Sequence, residues 1–422
     1  MNRVILNLAV KSLRFRKFSV GLTIFSLAIS IMLFLSVDTI RVQTKDNFVN
    51  TVSDIDLIVG SRSGSVQLLL YSIFHIGNAT NNVSWDSYQK ITKHPRIEWS
   101  IPISLGDSHK GFRVIGSNQN FIEHYRYKKN QNLSFSSGKE FSDLYDAVIG
   151  SNVANKLSYT LNDSIILAHG MGNVSLTKHS DSPFNISGIL NATGSPIDDS
   201  IIIDLKALEA IHIGWESGIA PKTSSSSIDL KANHDELVPQ SITAFLLKLK
   251  SKHDVFKMQR AINDFNKEPL LAILPGVALL ELWKVIGTIE KTLLIISGVV
   301  IFTSLFSMLA IILTNLNARR RELAVLRSAG ASPLQIFLLM IIETELLIII
   351  SVFIAMIMLY VGIGLLGPIL QGSLGISLAL TAPSSFQLLF LACILLAGFF
   401  IALIPAINAY RNTLQDGLTI RS

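Results

Sequence analysis

The densest group of residues able to make strong ionic contacts is RRRELAVLRSAGASP, Arg319 to Pro333. Arg320, Arg321 and Arg327 carry fixed positive charge, and Glu322 supplies the opposite charge. Helical spacing puts Leu323, Leu326 and Gly330 on one side and Arg320, Arg327 and Glu322 elsewhere, so a short amphipathic helix is expected. Gly330 can close it in a left-handed conformation, Ser332 can cap a following helix and Pro333 can fill its first turn. Charge alone would make this segment a topology anchor. The small residues Ser328, Ala329 and Ala331 point instead to a shaped docking element. Glu343 and Glu345 follow near the start of an apolar run, where a carboxylate is costly without a partner. Glu343 is expected to pair with an Arg or Lys of this loop or of the N-terminal segment. Pairing and snorkelling to the interface are equal readings for Glu345.

Other candidate chemistry is weaker. All nine histidines lie between His75 and His253, none at the i, i+3 or i, i+4 interval that would put two on one helical face. They give a metal-linked role little support, and no metal site is expected. Gly138-Lys139 is the only Gly-Lys pair, but Glu140 follows it and Leu133 stands where a phosphate-cradling loop needs a glycine. G-x-S-x-G and H-E-x-x-H are absent. No catalytic residue is expected, and energy from nucleotide must come from another polypeptide.

The elements that hold these residues follow from hydropathy. Phe18 to Val37 is 20 residues without a charge, Thr292 to Ala318 is 27, and Leu346 to Tyr410 is 65. A span needs about 20 apolar residues, so the last run holds two, joined by a Gly- and Ser-rich stretch from Gly362 to Ser385 with Pro368, Gly372, Gly375 and Pro383. Four transmembrane helices are expected near 18–39, 291–316, 344–366 and 386–410, one N-terminal and three C-terminal. Residues 1 to 17 carry Arg3, Lys11, Arg14, Arg16 and Lys17 with no acid. Together with the arginine loop they place both termini in the cytoplasm and residues 40 to 290 outside. A cleaved signal peptide fits the first run less well, because it exceeds the usual h-region and no small-x-small site follows. The formal charge of +6 sits beside the spans, where it meets anionic lipid headgroups. Nothing calls for nucleic acid. The only cysteine, Cys393, falls in the fourth span, so the exterior domain has no disulfide.

The division expected is an N-terminal amphipathic segment and first span (1–40), an α+β exterior domain (41–276), a stalk and second span (277–318), a cytoplasmic loop helix (319–333), and two further spans with a tail (334–422). Val148-Ile149, Ser164 to Leu167, Asn185 to Leu190 and Ser200 to Ile203 read as strands. Leu205 to His212 and Val255 to Asn266 read as helices, and Lys222 to Ser227 as an exposed loop. Val277 to Lys291 has near-heptad apolar spacing that leads into the second span as a stalk. Gly60, Ser61, Gly64 and Ser65 suggest a flexible turn before an apolar helix, Val66 to Phe74, which faces either a partner copy or the core. Gly21, Ser26 and Ser30 on span one and Gly298 and Ser304 on span two are small enough for helices to approach across a dimer axis. Ordinary packing accounts for them equally well.

The loop resembles the coupling helix of MacB/FtsX-type permeases of ABC transporters (type VII, LolC/LolE-like), through Arg321, Glu322, Leu326, Arg327, Gly330, Ala331 and Ser332. Leu8 to Ile24, Ala147 to Leu167, Ile186 to Leu205 and Ile404 to Leu418 are similar to other parts of that family. Asn162-Asp163 replaces a common Gly-Asp and Thr413 a common Pro. The resemblance implies a non-catalytic subunit of the bacterial inner membrane, paired as a homodimer or related heterodimer and bound to cytoplasmic ATPases that carry ATP and Mg. It implies a periplasmic partner protein in some members, and motion of the periplasmic domain, termed mechanotransmission, that exports or extracts a lipoprotein, lipid, peptide or small hydrophobic molecule. A scaffold like FtsX that activates a cell-wall hydrolase without transport is the alternative, with zinc transport a third.

Overall fold

The computed structural model describes residues 2–51, 54–127, 130–169, 182–212, 237–318, 320–374 and 378–415, with the backbone alone for 2–4, 49–50, 169, 317–318, 320–321, 368–374 and 412–415. Two compact units emerge, a helical one from Met1–Gln43, Gly287–Ile369 and Leu378–Ser422, and a globular one built on Thr44–Ile286. Residues 277–286, at the start of helix Pro275–Ala318, fall in the globular unit.

In the globular unit, an 11-stranded mixed sheet runs in the order 270–273, 57–61, 244–249, 97–109, 112–117, 200–204, 146–149, 184–190 and 135–138, with 168–169 also paired to 97–109 and 164–165 to 184–190. Strands Ser200–Asp204 and Phe112–Ser117 run parallel, as do Phe184–Leu190 and Asp146–Ile149. The apolar runs IIID, LIVG and AFLLKL lack polar alternation because both faces of the sheet are covered. Ile201 and Ile203 enter one core with Leu208, Ile211, Met258 and Ile262. Ile202, between them, enters the other with Leu68, Leu69, Tyr71 and Phe121. The same two-residue period sends Leu57 and Val59 to one side and Ile58 to the opposite side.

The strands expected at 148–149, 164–167, 185–190 and 200–203 and the helices at 205–212 and 255–266 are all present within a few residues. One expectation is corrected. Gly60 and Ser61 belong to strand Leu57–Ser61, not to a turn, and the apolar helix Ser65–Ile73 packs on the core of its own chain. Glycine at 60 permits this packing, since a Cβ there would lie 2.6 Å from Leu68 Cδ1 and 2.7 Å from Tyr71 Oη. The loop expected at Lys222 to Ser227 lies outside the described residues.

In the helical unit, four helices are long and apolar enough to span a membrane: Lys17–Phe48, Pro275–Leu316, Pro333–Gly367 and Ser385–Arg411. The third continues to Leu374, so the stretch from Gly362 is not the expected linker. In an apolar surrounding the backbone finds hydrogen-bond partners only within its own helix, and Gly and Pro are then tolerated. Among the described residues the non-helical connection is 378–384. Leu27, Ile31 and Leu35 of the first helix meet Leu305, Met308, Ile348, Ala355 and Ile394 of the other three. Ser30 Oγ and Ser304 Oγ share a hydrogen bond of 2.6 Å within this packing.

Candidate functional site

The loop helix spans Arg320–Ser328. Its end is closed by two backbone bonds, Ala331 N to Leu326 O (3.0 Å) and Gly330 N to Arg327 O (2.9 Å). Together they form a Schellman motif, which needs a left-handed residue, and Gly330 supplies it at φ 95°. Ser332 then opens helix Pro333–Leu374. Its backbone N donates to Gln335 Oε1 (2.9 Å) and its Oγ accepts from Gln335 N (3.4 Å), a reciprocal capping box. Gly330, Ala331 and Ser332 thus shape the turn.

This turn is held against a second apolar cluster of the helical unit. Leu323 is buried with Ile5 and Ala9 of the N-terminal helix Asn2–Phe15, with Ile336, Leu339 and Met340, and with Ala402, Ala406 and Ala409. Ala9 and the alanines at 402, 406 and 409 leave room for close approach. Leu326 packs against the cluster and, with Leu8 and Leu339, lines two shallow grooves of about 410 and 490 Å³. The opposite face of the loop helix is open: Val325 is 66 % exposed, with Glu322, Ser328 and Ala329 exposed beside it.

Arg16 Nη2 donates to Glu322 Oε2 at 3.5 Å, tying the first span's start to the loop helix. Arg16 also lines a cavity of about 40 Å³ with Asn315, Thr344 and the buried Glu343. The ion pair of Arg16 is thus with Glu322, while Glu343, for which a partner in the loop or the N-terminal segment was expected, lines the same cavity as Arg16. Glu345 Oε1 is buried without a hydrogen-bond partner, close to Gly398 of the fourth helix. Arg319 lies outside the described residues, as do the side chains of Arg320 and Arg321. Arg327 is half-buried.

The small residues named for a dimer axis divide. Ser30 faces inward on Ser304 and is used within the chain. Gly21 and Ser26 are exposed and Gly298 is partly so, and a Cβ on either glycine would touch nothing. Sequence reasoning missed the contact of Gln387 Nε2 with Thr39 Oγ1 at 3.0 Å. A glutamine near the start of the last apolar span was the available signal. It also missed Asp38, which is 1 % exposed just after the first apolar run. Among the described residues no three of His, Cys, Asp and Glu converge on a possible metal position.

These features define a multi-pass membrane protein with a large α/β domain inserted between its first and second spanning helices. Residues 20–265 match the MacB-like periplasmic core domain and residues 294–414 the FtsX-like permease C-terminal region. The chain belongs to this family of MacB/FtsX-type ABC transporter permeases, whose members work with cytoplasmic ABC ATPases. It is similar to the extracellular domain of the noncanonic ABC-type transporter YknZ from Gram-positive bacteria, at 11 % identity and TM-score 0.31, over 52 % of this chain and 98 % of that one. It is also similar to the periplasmic region of MacB from Actinobacillus actinomycetemcomitans, at 8 % identity and TM-score 0.34, over 56 % and 97 %. No curated protein matches the chain.

Proposed function

We propose that the chain is the permease subunit of a MacB-type ABC transporter, which couples ATP hydrolysis on a separate cytoplasmic ATPase to motion of the globular domain. The observation that carries this reading is the loop helix. Its inner face is buried in a cluster with residues of four other helices, while its outer face exposes Val325 between Glu322 and Ala329. A topology anchor needs charge only, whereas an exposed apolar residue on a firmly seated helix suits a protein contact. ATP and Mg belong to the ATPase, and this chain contributes no nucleotide site. Both termini and the loop helix are cytoplasmic, and the globular domain lies on the far side of the bacterial inner membrane.

Force applied to the loop helix reaches the third span through the capped turn and the first span through Arg16. The helix Pro275–Ala318 contains residues of both units and is the route for motion to the globular domain. Two copies, or this chain and a related one, present two loop helices to two ATPases, with Gly21, Ser26 and Gly298 on the facing surfaces. The cargo is a lipoprotein, lipid, peptide or small hydrophobic molecule. The test is hydrolysis by the purified complex in lipid vesicles. Stimulation by lipoprotein or lipid is expected. Stimulation by a cell-wall hydrolase alone, or by zinc alone, would overturn the transport reading.

A further inference from the structure

The globular unit holds a cavity of about 700 Å³, within the range of roughly 300–1,000 Å³ usual for small-molecule sites. Its apolar walls include Phe48, Phe74, Ile76 and Phe112, with the rings of Phe48 and Phe74 stacked at 4.4 Å. Its polar side comes from the sheet, where Arg113 and Ser200 are register partners in adjacent parallel strands.

Arg113 is only 8 % exposed. Its Nη2 donates to Gly77 O at 2.6 Å and to Asn78 Oδ1 at 3.1 Å, which fixes the guanidinium. Its Nε, however, is buried with no acceptor, and so is Thr44 Oγ1 on the same cavity. Buried donors without acceptors are costly, and a ligand oxygen that reached Arg113 Nε would relieve it.

The net charge of the lining is positive. Lys110 is set at the rim by a two-residue hairpin turn in which it and Gly111 have φ of 48° and 88°, the left-handed pair of a type I′ turn. Lys156 bonds Asp199 at 3.1 Å, and Asp199 is the one carboxylate among the described lining residues. Lys110 and Arg113 are left as net positive charge. His75 adds none, because burial and the nearby Arg113 guanidinium hold its imidazole well below the usual range.

We propose that this cavity binds an anionic amphiphile, with its apolar chain among Phe48, Phe74 and Phe112 and a phosphate or carboxylate headgroup on Arg113 and Lys110. Aromatic walls bury the chain, and a fixed guanidinium with a free N–H donates to an anionic oxygen in a charge-assisted bond. Ile76, 57 % exposed at the cavity, continues the apolar surface outward for a chain longer than the cavity. Binding requires neither nucleotide nor ATPase, so it stands or falls apart from the coupling reading.

The test uses the purified full-length chain in phosphatidylcholine nanodiscs, labelled with a photoactivatable diazirine palmitic acid and mapped by peptide mass spectrometry. Adducts are expected on peptides containing Phe48, Phe74 or Phe112. Excess palmitate or lysophosphatidic acid should suppress them, the stronger competitor identifying the headgroup, while uncharged dodecyl maltoside should not. Arg113→Gln should reduce labelling about tenfold and the surface change Lys110→Gln about threefold. Adducts confined to the spanning helices, equal suppression by dodecyl maltoside, or unchanged labelling in a folded Lys110→Gln protein would overturn the proposal.

Discussion

A chain carrying Glu322→Ala and Arg327→Ala, or Val325→Asp alone, should reach the membrane in normal amounts yet lose nearly all transport-linked activity. Val325 is the most exposed large apolar side chain of the loop helix, and an aspartate there would put an unpaired charge into any protein contact. Glu322 is held by Arg16 across 306 residues of sequence. Its removal frees the loop helix from the first span. Truncating a hot-spot residue of a protein contact costs about 2 kcal/mol, or roughly a thirtyfold loss of docking. Insertion should survive because Arg319, Arg320 and Arg321 still mark the cytoplasmic side. Membrane abundance measured beside ATP hydrolysis in the reconstituted complex checks both parts. Full activity in the double variant would reduce the loop to a topology anchor.

The second large effect is expected in the globular unit. Asp198 is 2 % exposed and accepts from Thr193 N at 2.8 Å, Thr193 Oγ1 at 2.7 Å and Gly194 N at 2.7 Å. These bonds fold the turn from Thr193 to Asp199 beneath strand Ser200–Asp204. Gly150 lies so close that a Cβ there would collide with Ile197 O and Asp198 O. Asp198→Ala leaves three donors without their acceptor and should destabilise the unit by about 3 kcal/mol. For a unit of this size, that lowers the unfolding midpoint by roughly 10 °C. Thermal unfolding of the full chain followed by limited proteolysis would measure it, with Asp198→Asn expected to lose less because one acceptor oxygen remains.

The parts of this structure that depend on neighbours in sequence were the legible ones. The turn from Leu326 to Gln335 could be read directly, because a Schellman motif and a capping box are closed by residues within five positions of each other. The strands at 148–149 and 200–203 announced themselves as β-branched runs between Gly, Asn and Asp. Strand Leu57–Ser61 did not, because Gly60 carries a turn signal locally and is there to admit Leu68 and Tyr71. Strand Ile97–His109 was hidden in the same way. Pro102 and Gly106 interrupt its pattern, yet it pairs with Ala244–Leu249 on one side and Phe112–Ser117 on the other. Of the candidate site, the loop helix and its inner face were visible as a 3.6-residue period. Its seat was not, since Ile5, Ala9, Met340 and Ala406 come from three separate helices. The cavity around Arg113 gathers residues from Thr44 to Ser200, and no local pattern marks such a place.

The central claim is that the outer face of the loop helix docks on a separate ATPase. Cys393 is the chain's only cysteine, so a Cys393→Ser, Val325→Cys chain offers a single reactive thiol at that face. A short bifunctional crosslinker applied to the reconstituted complex should join Val325→Cys to the ATPase, and a matched thiol at Val361, which is exposed on the third span, should not react with it. Absence of the crosslink at 325 in a complex that still hydrolyses ATP in response to cargo would contradict the account.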